Sequence, residues 1–202
     1  KKTLSILGMC TLILLGTACS NDDDNNIGSN TRKDIQLTRT EQEMVKASNG
    51  FAIDFFRNIN AEENGNVLIS PLSLSSLLAM TNNGAGGNTE TELLKALGFE
   101  NQNAEEVNAY YKNLVNGLLT ADKTTKIGWG NSMWINNAYA NEVKPTFKEN
   151  ISKEFGAELY TLAFDKKALD KINDWSYRKT NGCVPEILDE LSPNRSEERR
   201  VG

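Results

Sequence analysis

The chain contains no histidine among its 202 residues. A Ser-His-Asp or Cys-His arrangement needs an imidazole that titrates near neutrality, so hydrolytic machinery of that kind is excluded. Zinc sites built with histidine are excluded with it. Cysteine is nearly as scarce: Cys10, Cys19 and Cys183 are too few and too scattered for a disulfide framework or a four-thiolate metal site. An excess of positive charge is lacking as well. The 22 lysines and arginines face 27 aspartates and glutamates, a net charge of -5, and no basic footprint argues for nucleic acid. Phosphate-cradling glycine loops, paired-carboxylate motifs and internal repeats are also missing. The expectation is a protein with no cofactor, no metal and no catalytic residue.

What is present begins at the first residue. Lys1-Lys2 precedes an apolar run from Leu4 to Leu15, which leads to Gly16-Thr17-Ala18-Cys19. A positive start, about a dozen apolar residues and small residues before a cleavage point make a signal peptide. The run falls short of the roughly 20 residues of a spanning helix. Small residues before a cysteine are similar to a lipobox, in which Cys19 is lipidated and becomes the first mature residue. Gly16 stands where that pattern commonly has Leu, and the competing reading is an ordinary secretory leader with a chance cysteine. The acidic cluster Asp22-Asp23-Asp24 resembles surface-export signals on lipoproteins of some Gram-negative bacteria. It also reads as part of a solvated tether running to about Thr40. The expected place is the cell envelope, as an outer-membrane lipoprotein on its surface or periplasmic side, with secretion or the periplasm as the alternative.

Beyond the tether the hydrophobic period defines the elements. Met44, Phe51, Phe55, Phe56 and Ile59 fall at helical spacing from about Thr40 to Ile59. Val67-Leu68-Ile69 reads as a short buried strand. Ser70-Pro71 predicts a helix start, with serine as cap and proline in first position, over an all-round apolar helix to Met80. Thr89-Glu90-Thr91-Glu92 reads as a capping box ahead of Leu93, Leu94 and Leu97, closed by Gly98. A further amphipathic helix spans about Ala104 to Leu119. From Ile127 to Ile135 the period becomes two, a strand with Ile127, Trp129, Met133 and Ile135 on one face beside Asn131. Val143, Phe147, Ile151 and Phe155 mark a helix, Glu158 to Phe164 is strand-like, and Ala168, Ile172 and Trp175 line a last helix ending near Thr180-Asn181-Gly182. The order suits an α+β fold.

Three stretches carry a family resemblance. Asn66-Val67-Leu68-Ile69-Ser70-Pro71-Leu72-Ser73 resembles the most recognisable N-terminal stretch of the serpins. Ala79-Met80, Gly84-Ala85, Gly87, Thr89, Glu92 and Leu97-Gly98-Phe99 keep that family's spacing, as do Ile172-Asn173-Asp174-Trp175, Thr180, Gly182 and Ile187-Leu188. The resemblance covers about Thr40 to Asn194. It implies the N-terminal part of a serpin fold: helices A to F, strand 6 of sheet B, and strands 2 and 1 of a central sheet left incomplete. Asn66, Ser70, Ser73 and Thr89 then match positions near the shutter beneath sheet A. Asn173, Trp175, Thr180 and Gly182 match helix F and the chain after it. Cys183 departs from the pattern, where lysine is common.

After Asn194 the family would continue into an apolar strand, whereas this chain gives Arg195-Ser196-Glu197-Glu198-Arg199-Arg200-Val201-Gly202, charged and without strand character. Those eight residues resemble the translation of a sequencing-adaptor oligonucleotide; the alternative is a genuine charged tail. The expected divisions are therefore 1–19 leader and lipobox, 20–40 acidic tether, 41–194 the N-terminal part of a serpin domain, and 195–202 a non-native tail. The resemblance implies a parent protein that is a suicide inhibitor of serine or cysteine proteases, and the lipobox-like leader adds a lipid tie to a membrane. The reactive bond is absent from this chain, so the fragment itself is expected to be inactive. A non-inhibitory serpin acting as a surface binding protein is the alternative.

Overall fold

The computed structural model describes residues 32–191 and 197–201, the last five as backbone. The leader, Cys19 and the acidic cluster lie outside the described residues. Among the described residues no helix is long and apolar enough to cross a membrane.

Helix α1 (Arg39–Glu62) starts where Thr38 and Glu41 form a reciprocal capping box: the Thr38 Oγ1 accepts from the Glu41 amide at 3.2 Å, and the Glu41 carboxylate accepts from the Thr38 amide at 2.7 Å. Helix α2 (Pro71–Asn82) begins as its sequence predicts, with Ser70 as cap and Pro71 first. Its all-round apolar character has the expected outcome. Ser75, Ser76, Ala79, Met80 and Asn82 are buried, because α1, α3 (Asn88–Leu97) and α4 (Ala104–Thr120) all pack on it.

The predicted capping box at Thr89 does not form. Gly87, at φ +58°, turns the chain into α3 one residue pair earlier, so Thr89 lies inside the first turn and makes no cap. Gly98 closes the helix in the left-handed conformation at φ +74°, as predicted, with Ala47 Cβ 3.1 Å from where its own side chain would be. Helix α4 carries a full capping box, Asn103 with Glu106, that the sequence reading overlooked.

Strand β1 (Gly130–Asn136) is followed by a 3-10 turn (Asn137–Tyr139) and helix α5 (Pro145–Phe155), which cross over to a parallel strand β2 (Glu158–Leu162). The register runs from Ser132 opposite Glu158 to Asn136 opposite Leu162. Helix α6 (Lys166–Lys179) follows, then β3 (Glu197–Val201), antiparallel to β1 on its other edge, giving the order β2-β1-β3. The charged tail was expected to lack strand character. Its backbone nevertheless pairs, because β1 offers an unpaired row of N–H and C=O groups to any extended segment.

All seven residues of β1 are buried, so both faces are covered rather than the single apolar face expected. Met133 and Ile135 join a cluster with Met44, Met80, Phe99, Tyr110, Tyr111 and Ile151 of the helical layer. Trp134 points the other way, into a second cluster with Phe164, Ile172 and Trp175. The sheet is thus sandwiched between five helices and α6. Residues 127–129 stay outside β1, because the register of both neighbouring strands ends before reaching them. The stretch 67–69, expected as a buried strand, has no regular secondary structure and pairs with no described residue, and Leu68 is 98% exposed. A strand exists only through a neighbour, and none reaches it here.

Candidate functional site: the helix clamped across the sheet

The resemblance places four site residues on or just after α6, and the structure brings them together. Asp165 caps the helix by accepting from the Ala168 amide at 3.0 Å. On the buried face Ile172 and Trp175 are fully enclosed. Trp175 meets Trp134 edge-on, with centroids 6.4 Å apart at 81°, and Trp134 stacks on Tyr160 at 4.1 Å and 10°. Such pairs add roughly 0.5–1.5 kcal/mol beyond the area they bury. Lys171 sits over the outer face of Tyr160, 4.8 Å from its centroid.

The chain after α6 then turns back along it. Asn181 (φ +51°) and Gly182 (φ +86°) make the reversal. At Gly182 an added Cβ would come within 3.2 Å of the Tyr177 ring, so both conformation and space call for glycine. The Thr180 hydroxyl accepts from the Val184 amide at 2.9 Å and donates to the Ser176 carbonyl at 2.8 Å, while the Ser176 hydroxyl donates to the Val184 carbonyl at 3.0 Å. Asn173 does most to hold the returning strap. Its Oδ1 accepts from the Ile187 and Leu188 amides at 2.9 and 3.0 Å, and its Nδ2 donates to the Leu188 carbonyl at 2.7 Å. Three of its amide valences are used on backbone that would otherwise be left without partners.

A second fastening was not legible in the sequence. Glu158, at the start of β2, accepts from the Tyr160 hydroxyl and from Lys179 in the last turn of α6. Burial pushes Glu158 upward, but the Lys179 hydrogen bond, the Tyr160 hydroxyl, the Lys179 charge and the Trp175 indole outweigh it and hold the carboxyl below its ordinary range. Burial and then the Glu158 carboxylate push the Tyr160 phenol up to about 12. Nothing in the spacing of residues 158, 160 and 179 signals this clasp, because it exists only once α6 lies across the sheet.

The four residues expected at the shutter lie in two places. Ser70 Oγ donates to Ser73 Oγ at 2.7 Å and accepts from the Ser73 amide, fastening the first turn of α2. Both line a cavity of about 210 Å³ whose other walls include Leu118, Leu119, Ile127 and Trp129. Asn66 lies on the exposed segment just before them. Thr89 lies at the opposite end of α2, a helix about 18 Å long at 1.5 Å per residue over 12 residues. It shares a cavity there with Val143 and Phe147. The interior also holds an unpaired amide: Asn82 is 2% exposed, and neither its Nδ2 nor its Oδ1 has a partner among the described residues. Among the described residues no group of three or more His, Cys, Asp or Glu could hold a metal ion.

The chain and its fold have counterparts among known proteins. The family model for serpins (serine protease inhibitors) matches residues 46–197. The leukocyte elastase inhibitor of Sus scrofa is 32% identical over 152 residues, covering 73% of this chain and 39% of that protein. The alpha-1-antiproteinase of Bos taurus is 31% identical, covering 71% of this chain and 35% of its own length. Among solved structures, that of the thermophilic serpin tengpin in the latent state superposes with a TM-score of 0.67 at 30% identity, over 80% of this chain and 43% of that one. The chain belongs to the serpin family, whose members are as a class inhibitors of proteases rather than enzymes. It spans roughly two-fifths of the length of the curated relatives it matches.

Proposed function

We propose that the intact protein is a suicide inhibitor of serine or cysteine proteases, held at the cell envelope by a lipid on Cys19. The observation that carries this reading is the strapped helix α6 over a sheet whose strand β1 is buried on both faces. In the mechanism the resemblance implies, a protease attacks an exposed loop and forms an acyl-enzyme. The cleaved loop then enters the central sheet as a new strand and carries the protease with it. The residues described here would supply the frame that must part: β1 and β2, the α6 cover with its clamps at Asn173 and Glu158, and the serine-fastened end of α2. On this reading the protease supplies the catalytic chemistry and this chain supplies the frame.

The family's description as serine protease inhibitors supports a serine protease as target, and two relatives are called an elastase inhibitor and an antiproteinase. The reactive bond lies outside this chain, and residues 1–202 alone should not inhibit. On this reading residues 1–19 are a lipoprotein leader, 20–40 lead to the domain, and 195–202 are not native sequence.

The test is to incubate the intact protein with a panel of serine and cysteine proteases and resolve the products in SDS. A complex of the two chains that survives boiling is expected with at least one of them. Cleavage of the loop with no such complex, and with the proteases fully active, would contradict inhibition and favour a binding role.

A further inference from the structure

The stretch before α1 reads as tether, yet its last residues press against α4. The Lys33 amide donates to the Ala121 carbonyl at 2.8 Å, taking up one of the carbonyls that the end of a helix leaves without a partner. Ile35 fills a notch at Gly117, where an added Cβ would come 2.6 Å from Ile35 Cγ2. The Asn113 side-chain amide donates at 2.9 Å to both the Gln36 carbonyl and the Glu41 carboxylate, which joins this segment to the first turn of α1. The described chain therefore begins beside the C-terminal end of α4.

The surface at that end has its own chemistry. The loop from α4 to β1 carries Lys123 and Lys126, both exposed, and beside them Leu119 and Ile127 are 41% and 44% exposed. Arg32 and Lys33 add two more exposed cations. Of the nearby carboxylates, Asp34 is free to oppose them. Asp122 is turned into its own loop, accepting from the Thr124 amide and hydroxyl at 2.7 and 2.8 Å and from the Thr125 hydroxyl at 3.0 Å. Four cations and two exposed aliphatic side chains thus lie on the two segments that meet at Ala121, the end of α4.

We infer that this end of α4 is a docking surface for an anionic lipid bilayer, the one that anchors the chain. The inference rests on the proposed lipidation of Cys19. Lys33 lies fourteen positions after Cys19, a reach of about 50 Å at most, at about 3.6 Å per step. The docked segment keeps the leash that short; releasing it would free the residues up to Thr38 as well. Lysines near an anionic surface are attracted to it within about a Debye length, and apolar side chains among them enter the headgroup boundary. The domain then sits with the α4 end towards the membrane, and the cavity at Val143 and Phe147, at the opposite end of α2, faces away.

The experiment uses the intact protein, with Cys183→Ser and a single fluorophore-labelled cysteine at either Thr120 or Asn141. Asn141 is exposed and lies beside the far cavity, next to Glu142 in its wall. Each protein is placed in vesicles containing phosphatidylglycerol and brominated lipid, and mass spectrometry establishes whether Cys19 is acylated. With an acylated chain, quenching at position 120 should exceed that at 141 several-fold. The contrast should fall in Gly117→Val, which evicts Ile35, and in Ile35→Ser should the first variant fail to fold. It should also fall in Lys123→Gln/Lys126→Gln, and in high salt. Equal quenching at both positions in an acylated protein would overturn the docking surface and leave the lipid anchor standing. An unacylated protein that does not bind the vesicles would overturn both.

Discussion

Asn173, Glu158 and Asn82 show how differently three buried or half-buried polar side chains behave. Asn173 spends its amide on the strap at Ile187 and Leu188. Asn173→Ala should therefore cost about 1–3 kcal/mol and speed hydrogen exchange at those two amides. Unchanged exchange there would mean that apolar contacts of Ile187, Leu188 and Leu191 hold the strap without it. Glu158 has a folded pKa below its unfolded value near 4.5, so its contribution to stability is fully present above that value. It is lost as pH falls through the lower folded value. Glu158→Gln should flatten the acid limb of the melting temperature plotted against pH, and an unaltered limb would show that the clasp contributes nothing. Asn82 has no partner for either amide atom. Asn82→Leu, close in volume, should be neutral or raise the melting temperature, because it removes a desolvated amide without breaking a bond. Of these three, the family motif pointed to Asn173, while the surroundings of Glu158 and Asn82 depend on packing that no local spacing encodes.

The helices were legible because their period and their stop signals act locally. Ser70-Pro71 and Gly98 stand where they were expected, and α1, α4 and α6 differ only at their ends. The capping box at Thr89 failed for a local reason too, since Gly87 can adopt a positive φ that starts α3 before Thr89 is reached. The comparison makes a clean test. Asn103→Ala should cost about 1 kcal/mol, the usual value of a lost N-cap, and Thr89→Ala only a few tenths. Equal losses in chemical denaturation would restore Thr89 as a cap. Strands were less legible, because pairing is a property of two segments. Residues 67–69 have β-branched, apolar character and still make no ladder, whereas the charged backbone of Glu197–Val201 does. Burial of β1 on both faces was hidden for the same reason. The expectation covered only the face of Met133 and Ile135, whereas Trp134 is buried on the other face against Phe164, Ile172 and Trp175.

For the molecule as a whole, the layers define which parts must move together if a strand is to enter the sheet. Ser73 is fastened to Ser70 beside a small cavity at the end of α2, so a large ring there would wedge that end away from Trp129 and Ile127. In the intact protein Ser73→Phe should lower inhibition or promote polymers, whereas Lys95→Ala on the exposed face of α3 should do neither. Equal behaviour in a gel-filtration and inhibition assay would remove Ser73 from the moving parts. The family and the N-terminal location of these elements were readable from three motifs in order. The strap, the Glu158 clasp and the docking of residues 33–37 on α4 were not, since each joins segments far apart in the chain. The most direct test of the central claim is hydrogen exchange on the intact protein before and after reaction with a protease it traps. Slower exchange is expected across Gly130–Asn136 after reaction, together with faster exchange at Ile187 and Leu188 while α6 yields. Unchanged exchange in β1 once the protease is bound would contradict a mechanism in which this sheet gains a strand.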